Sequence, residues 1–293
     1  MNGILLIDKP AGITSHTVVS KLRRKLGTKK IGHAGTLDPT ATGLMVLCIG
    51  YATKISSYVT DLDKAYQCRF ELGKVTTTYD IEGEVVSEKN ASHVSQADLL
   101  KAFEKFKGDI AQKPPIYSAI KINGRKLYQY ARSNTEVEIP TRNVSIRSLK
   151  LLSYENPFAV LEMECSKGTY VRSLVHDVGQ ELGVGASVEK IHRIMSSPFT
   201  IDHAVSLDVI LKMDLEEIQQ RMISVKDALA KQFKIVAVQK HEEALVRNGV
   251  VIKNSQHDFD QDSLVLFVSA DQTREIAIAT WNNKRGISYL RIF

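Results

Sequence analysis

The chain has 293 residues, 43% hydrophobic and 25% charged, the balance of an ordinary globular protein with core enough for one large or two unequal domains. Its formal net charge of +6 favours a polyanionic partner. Cys48, Cys68 and Cys165 are far apart with no Cys-x-x-Cys pair, which argues against a disulfide framework or a zinc site, and no apolar run reaches the length of a membrane span.

The opening run Met1–Asp8 is too short for a signal peptide and already carries an acid, so the expected compartment is the cytoplasm. Within it Gly3–Asp8 reads as a short buried strand, closed by the turn Lys9-Pro-Ala-Gly12. Ser15 then offers an N-cap to a helix with Val18, Val19, Leu22 and Leu26 on one face, ended by Gly27. The next segment, Ile31-Gly-His-Ala-Gly-Thr-Leu-Asp-Pro-Thr-Ala-Thr-Gly43, sets one carboxylate, Asp38, in a short loop. Glycines there permit tight turns, and Pro39 holds the residue before it extended. Apolar Leu37 and the run Leu44–Leu47 predict a rigid floor from which Asp38 projects into a cleft. A lone Asp in such a loop also serves as an Asx-turn residue.

Ala65–Leu72 alternates as a half-buried strand, and Thr76–Gly83 is a polar loop leading into Glu84-Val-Val86. Ser95 caps a helix through Leu99, Leu100, Phe103 and Phe106, with Asp98 at the third helical position and Gly108 beyond its end. From Lys113 to about Arg142 the character changes. Pro114-Pro115 breaks regular structure, Asn123-Gly124 signals a hairpin, and Arg125, Lys126 and Arg132 are interleaved with Tyr128 and Tyr130. Such a mixture stacks on bases and neutralises phosphates, and it also describes many exposed loops. Strands follow at 144–152 and 159–165, a helix at 172–182 stopped by Gly183, a strand-like piece at 188–194, and helical segments at 207–213 and 215–222. A boundary near Gln232 separates residues 1–232 from a block at 233–293. That block reads as a strand at 234–238, a helix at 241–246, an Asn248-Gly249 turn and three strands, a pattern that suits a small closed barrel.

Four separated motifs then resemble those of the TruB family of tRNA pseudouridine synthases, in order and at fitting separations over roughly residues 3–230. They are Asp8-Lys-Pro-Ala-Gly-Ile-Thr-Ser15, Gly32-His-Ala-Gly-Thr-Leu-Asp-Pro39, Asp63-Lys-Ala-Tyr66 and Cys165-Ser-Lys-Gly-Thr-Tyr-Val-Arg172. The resemblance implies an α+β fold with a mixed, mainly antiparallel central sheet and flanking helices. It implies that uridine 55 of the tRNA T-loop is isomerised to pseudouridine, with Asp38 as catalytic aspartate, Arg172 as its catalytic partner, and Tyr66 as a catalytic tyrosine that stacks on the base and assists loss of the C5 proton. Tyr170, two residues before Arg172 on what reads as one strand, resembles the second aromatic wall, and Ile191 an apolar contact. His33 is a candidate to fill the gap left by the extruded base, and Asp80 matches a polar position near the site. Arg125 and Lys126, in an RNA-binding thumb at 113–142, are candidate phosphate contacts, while Lys9, Lys64 and Lys167 read as structural or phosphate-contacting. Arg247-Asn-Gly-Val-Val-Ile252 resembles the helix-to-strand turn of a PUA-type RNA-binding domain, which would make the last block an accessory RNA-binding module.

The chemistry agrees with that set. The isomerisation is redox-neutral and calls for no cofactor, and the remaining histidines show no metal-ligand grouping. It needs an ionised carboxylate in a pocket that excludes water. Burial alone would neutralise Asp38, whereas an adjacent guanidinium favours the charged form. The competing reading is an RNA-folding chaperone or binding module that uses the same surface without catalysis. A phosphate-cradling nucleotide enzyme fits poorly, because no Gly-Lys-Ser/Thr follows a spaced glycine. The expected partner is the T-stem-loop of tRNA, bound by a stand-alone bacterial-type monomer with no obligate protein partner and no membrane.

Overall fold

A computed structural model describes residues 1–133, 135–252, 261–282 and 286–293. The first half supplies strands β1 (Gly3–Lys9), β2 (Ile31–His33), β3 (Thr42–Ile49), β4 (Lys64–Leu72), β5 (Lys74–Thr76), β6 (Val85–Glu88) and β7 (Gly108–Gln112). Helix α1 (Ser15–Leu26) follows β1, α2 (Ser56–Thr60) precedes β4, and α3 (Gln96–Glu104) precedes β7. The insert holds β8 (Lys121–Ile122), β9 (Arg125–Lys126) and α4 (Leu127–Arg132). Then come β10 (Arg142–Glu155), β11 (Phe158–Cys165), α5 (Val171–Glu181), β12 (Ala186–Ser196), β13 (Phe199–Thr200), β14 (Val205–Ser206), α6 (Leu207–Lys212), α7 (Leu215–Gln220) and α8 (Val225–Leu229). The C-terminal block is β15 (Lys234–Ala237), α9 (Lys240–Arg247), β16 (Leu264–Val268), β17 (Glu275–Asn282) and β18 (Gly286–Ile292).

The central sheet has ten strands in the order β14-β1-β3-β12-β4-β11-β10-β7, with β13 on β12 and β2 on β3. Only β1/β14 and β3/β12 are parallel; the other pairs are antiparallel. The apolar runs of β1 and β3 are explained by burial on both faces. Ile4, Leu6, Leu44 and Val46 point into a core shared with α2, α8 and the C-terminal sheet, while Leu5, Ile7, Met45 and Leu47 point into a second core with α1, α6 and α7. A third core packs Phe70, Leu161 and Met163 against Leu99 and Phe103 of α3 and Leu174 and Val178 of α5. β3 is therefore a full strand where the sequence showed only an apolar flank to the Asp38 loop.

Local chemistry sets the element ends. Ser95 and Asp98 form a reciprocal capping box at α3, as their spacing predicts. At α1 the N-cap is Thr14, whose side chain accepts from Thr17 N–H, because the Ser15 hydroxyl is engaged with the backbone of Leu37. Asn123-Gly124 turns the β8/β9 hairpin with both residues at positive φ.

The C-terminal strands form a linear four-stranded sheet, β15-β16-β17-β18, with β15/β16 parallel. Among the described residues no pairing closes it into a barrel, and residues 253–260 of the PUA-like stretch lie outside them. One face packs on α9; the other joins β1, β3, α2 and α8 through Leu266, Val268 and Ile278. Buried Glu275 completes that seam by accepting from Tyr51 Oη at 2.7 Å and Lys226 N–H at 2.9 Å. No helix among the described residues is long and apolar enough to cross a membrane.

Candidate active site

The Asp38 loop is braced on both sides. Ser15 Oγ accepts from Leu37 N–H and donates to Leu37 O, each at 2.9 Å. Lys9, fully buried, donates from Nζ to Pro10 O at 2.9 Å, Pro39 O at 3.1 Å and Ala41 O at 2.6 Å. A side chain with no acid in that set ties three loop carbonyls together, and burial pushes its amine down to about 8 against the pull of nearby Asp38. Lys9 thus spends its three donors on the loop backbone.

Asp38 opens into a cavity of about 290 Å³ lined by Tyr66, Lys64, Ile191 and Arg193 on one side and by Tyr170, Arg172 and Ser118 on the other. That is the small end of the ligand-pocket range, of a size for one base rather than a whole nucleotide chain. The wall comes from β4, β12 and the start of α5, with residues 118–119 of the insert over it.

Arg172 organises the charge. Its Nη2 lies 2.9 Å from Asp38 Oδ2, and its Nη1 lies 3.2 Å from Asp80 Oδ2. The same guanidinium donates to Thr78 O at 3.1 Å and to Tyr117 O at 3.0 Å, so it binds the acid, the 78–80 loop and the root of the insert at once. Asp80 is fixed in turn by Thr78 Oγ1 at 2.5 Å and Glu82 N–H at 3.1 Å. Tyr79, at φ 62°, stacks on His176 at 3.9 Å and holds this loop in a conformation that disfavours bulky residues.

The Asp38 carboxyl lies above its ordinary range. Burial raises it, Arg172 pulls it down, Asp80 raises it again, and Lys9 lowers it. The guanidinium thus opposes the burial penalty without cancelling it, a weaker effect than the sequence argument assigned to it. Burial likewise raises the Tyr66 hydroxyl, with the Arg193 charge opposing.

Tyr66, Tyr170, Arg172, Ile191 and Asp38 all line the cavity, and Asp80 stands behind Arg172. Tyr170 and Arg172 do not share a strand face. Tyr170 is the N-cap of α5 and Arg172 its second residue, because Gly168 at φ 81° turns the chain out of β11. Tyr170 is held there by Gln112, whose amide accepts from Tyr170 N–H at 2.8 Å and donates to Tyr170 O at 3.1 Å. His33 ends β2 and does not line the cavity; its Nδ1 is buried without a partner, and burial followed by the Arg193 charge lowers its pKa. Arg125 and Lys126 stand apart in the β8/β9 hairpin. Arg125 donates to Gln129 O and Ser133 Oγ, both at 2.7 Å, and lies over the Tyr130 ring, while Lys126 lies over Tyr128. Their first role is thus to fold the insert. The residue that sequence reasoning missed is Arg193. Its signal was present: it sits two residues beyond Ile191 on an alternating strand and so faces the same side. Among the described residues no cluster of three His, Cys, Asp or Glu groups could hold a metal.

The family model described as "TruB family pseudouridylate synthase (N terminal domain)" matches residues 23–171, and that of the "tRNA pseudouridylate synthase B C-terminal domain" matches residues 172–232. Two proteins named tRNA pseudouridine synthase B are among the similar sequences. That of Opitutus terrae is 47% identical over 78% of this chain and 95% of its own length; that of Clostridium tetani is 38% identical over 87% of each. The fold resembles a chain in an H/ACA RNP bound to a substrate RNA, with a TM-score of 0.74, 19% identity and coverage of 99% of this chain and 84% of the other. A Cbf5-Nop10-Gar1 complex gives 0.73 at 21% identity, with coverage of 99% and 84%. By its family matches and these relatives, the chain belongs to the TruB family of pseudouridylate synthases.

Proposed function

We propose that this enzyme isomerises the T-loop uridine of tRNA conventionally numbered 55 to pseudouridine, with Asp38 as the catalytic aspartate. The observation that carries the reading is the Asp38–Arg172 pair at 2.9 Å inside a base-sized pocket walled by Tyr66, Tyr170 and Ile191. An extruded base finds aromatic and apolar surface there in exchange for the stacking it gives up, and the enclosure limits hydrolysis of the detached base. Tyr66 stacks on the base, and Asp80 positions Arg172. His33, outside the pocket, serves the RNA loop around the extruded nucleotide rather than the base itself. Arg125 and Lys126 present the 113–142 insert to the phosphate backbone as a thumb.

In this reading residues 1–232 form the catalytic unit and 233–293 an accessory RNA-binding block, working as a monomer in the cytoplasm without cofactor or metal. The test is pseudouridine mapping on unmodified tRNA incubated with the purified protein. Pseudouridine at position 55 is expected; a tRNA that is bound and left unmodified would instead identify a chaperone.

A further inference from the structure

Arg193 is among the largest fully buried side chains, 1% exposed. Its Nε donates to Leu44 O at 2.7 Å and its Nη2 to Gly35 O at 3.2 Å, both neutral acceptors. Among the described residues it forms no ion pair with a carboxylate. Proteins tolerate a buried charge when it is paired or when function requires it. The Asp38 loop lies close against this residue: a Cβ on Gly35 would sit in contact with Arg193 Nη1 at 3.4 Å, and Gly43 packs on the Arg193 backbone, where a Cβ would lie 2.4 Å from its carbonyl oxygen. Across the sheet Arg193 is the register partner of Tyr66, and both line the cavity. Its charge is felt around the pocket, opposing the burial effect on the Tyr66 hydroxyl and adding to it at Lys9, Lys64 and His33.

We propose that Arg193 is a positioning residue for the isomerisation, acting through Tyr66: its unpaired charge polarises the Tyr66 hydroxyl toward the negative charge that develops on the uracil ring. The inference rests on the function proposed above and does not depend on the route. If an Asp38 oxygen bonds to C6, the ring's electron pair moves into the C5–C4–O4 enolate. If that oxygen bonds to C1′, the C1′–N1 bond breaks and its pair leaves on uracil. If Asp38 instead takes the C2′ proton, a C1′=C2′ bond forms and N1 again leaves with the pair. Each route makes an anionic pyrimidine, and the C6 adduct then breaks its C1′–N1 bond. C5 next bonds to C1′ as Asp38 leaves C1′ or C6 or returns the proton to C2′; N1 gains a proton, C5 loses one, and no oxidant or reductant enters. A preset positive charge needs no reorganisation to meet that anion.

The test is a double-mutant cycle read by single-turnover pseudouridine formation on tRNA, with urea midpoints and tRNA affinity measured for every variant. Arg193→Met is expected to slow isomerisation about 100-fold with affinity within about twofold, and Arg193→Lys, which keeps the charge, to recover at least about tenfold. In a Tyr66→Phe background the same Arg193→Met change should cost less than about threefold, since the hydroxyl it acts on is gone. An equal loss in both backgrounds, with no recovery by lysine, overturns the proposal and leaves Arg193 as a brace between Gly35 and Leu44. Should Arg193→Met not fold, the cycle of Arg193→Lys with Tyr66→Phe decides on the same criterion. A wild-type protein that makes no pseudouridine defeats the function itself; an active wild type with an additive cycle defeats this inference alone.

Discussion

The pocket and the seam beneath the C-terminal sheet both bury charged side chains, and they satisfy them in opposite ways. At the seam, Glu275 accepts from neutral donors, Tyr51 Oη and Lys226 N–H, inside an apolar cluster. In the pocket, Arg172 bridges Asp38 and Asp80, while Lys64 and Arg193 add positive charge held by backbone carbonyls. The seam is complete by itself. The pocket holds cations that an anionic guest would complete, so under the proposed function it trades stability for chemistry, whereas the seam serves attachment.

Breaking the pocket should cost activity first. Asp38→Asn is expected to lower pseudouridine formation by on the order of 10³-fold or more while tRNA affinity holds, because phosphate contacts supply most of the binding. Release of tritium from 5-tritiated uridine in tRNA measures it, and turnover near wild type would remove Asp38 from the mechanism.

Arg172→Met should damage both properties, since it leaves buried Asp80 without its cation. Loss of one partner of a buried pair costs about 3–5 kcal/mol, readable as a lower urea midpoint. Any residual activity should also show a displaced acid limb. Arg172 lowers the Asp38 pKa, so its removal raises that pKa further, and activity should appear only at higher pH than in wild type. An unmoved limb would mean that another group titrates there.

The seam should answer differently. Tyr51→Phe removes one donor to Glu275 and should destabilise by about 1–3 kcal/mol with kcat unchanged. A fall in kcat, measured on folded protein, would show that the seam reaches the active site. The smallest effect belongs to the insert. Neutralising Arg125 and Lys126 together should weaken tRNA binding and reduce its salt slope by about 0.9 for each backbone phosphate left without a cation. An unchanged slope would confine both residues to the stacking on Tyr130 and Tyr128.

What the sequence revealed was whatever is written in contiguous residues. The Asp38 loop, the Ser95 capping box, the Asn123-Gly124 hairpin and the strand periods were legible because each needs only neighbours along the chain. Pairings across long separations were not. Nothing near Tyr51 announces Glu275, and nothing near Leu44 announces Arg193. The Tyr170–Arg172 segment misled for a related reason. Alternation suggested a strand, but Gly168 and the Gln112 clip start a helix there, and Arg172 reaches Asp38 from its first turn. The C-terminal barrel was inferred from short strands and a PUA-like turn, neither of which says that one face of the described sheet packs against β1 and β3.

That covering has a consequence for how the protein is made. Tyr51 and Glu275 are 224 residues apart, and Ile4 shares its core with Ile278. At about 5–20 residues per second, a ribosome needs roughly 10–45 s between delivering the two halves of this contact. During that interval the face of β1 and β3 that awaits β16 and β17 has no final cover. Nascent chains stalled before residue 275 should therefore bind holdase chaperones, and full-length released chains should not. Strands β16 and β17, late in the chain, thus close over strands made much earlier.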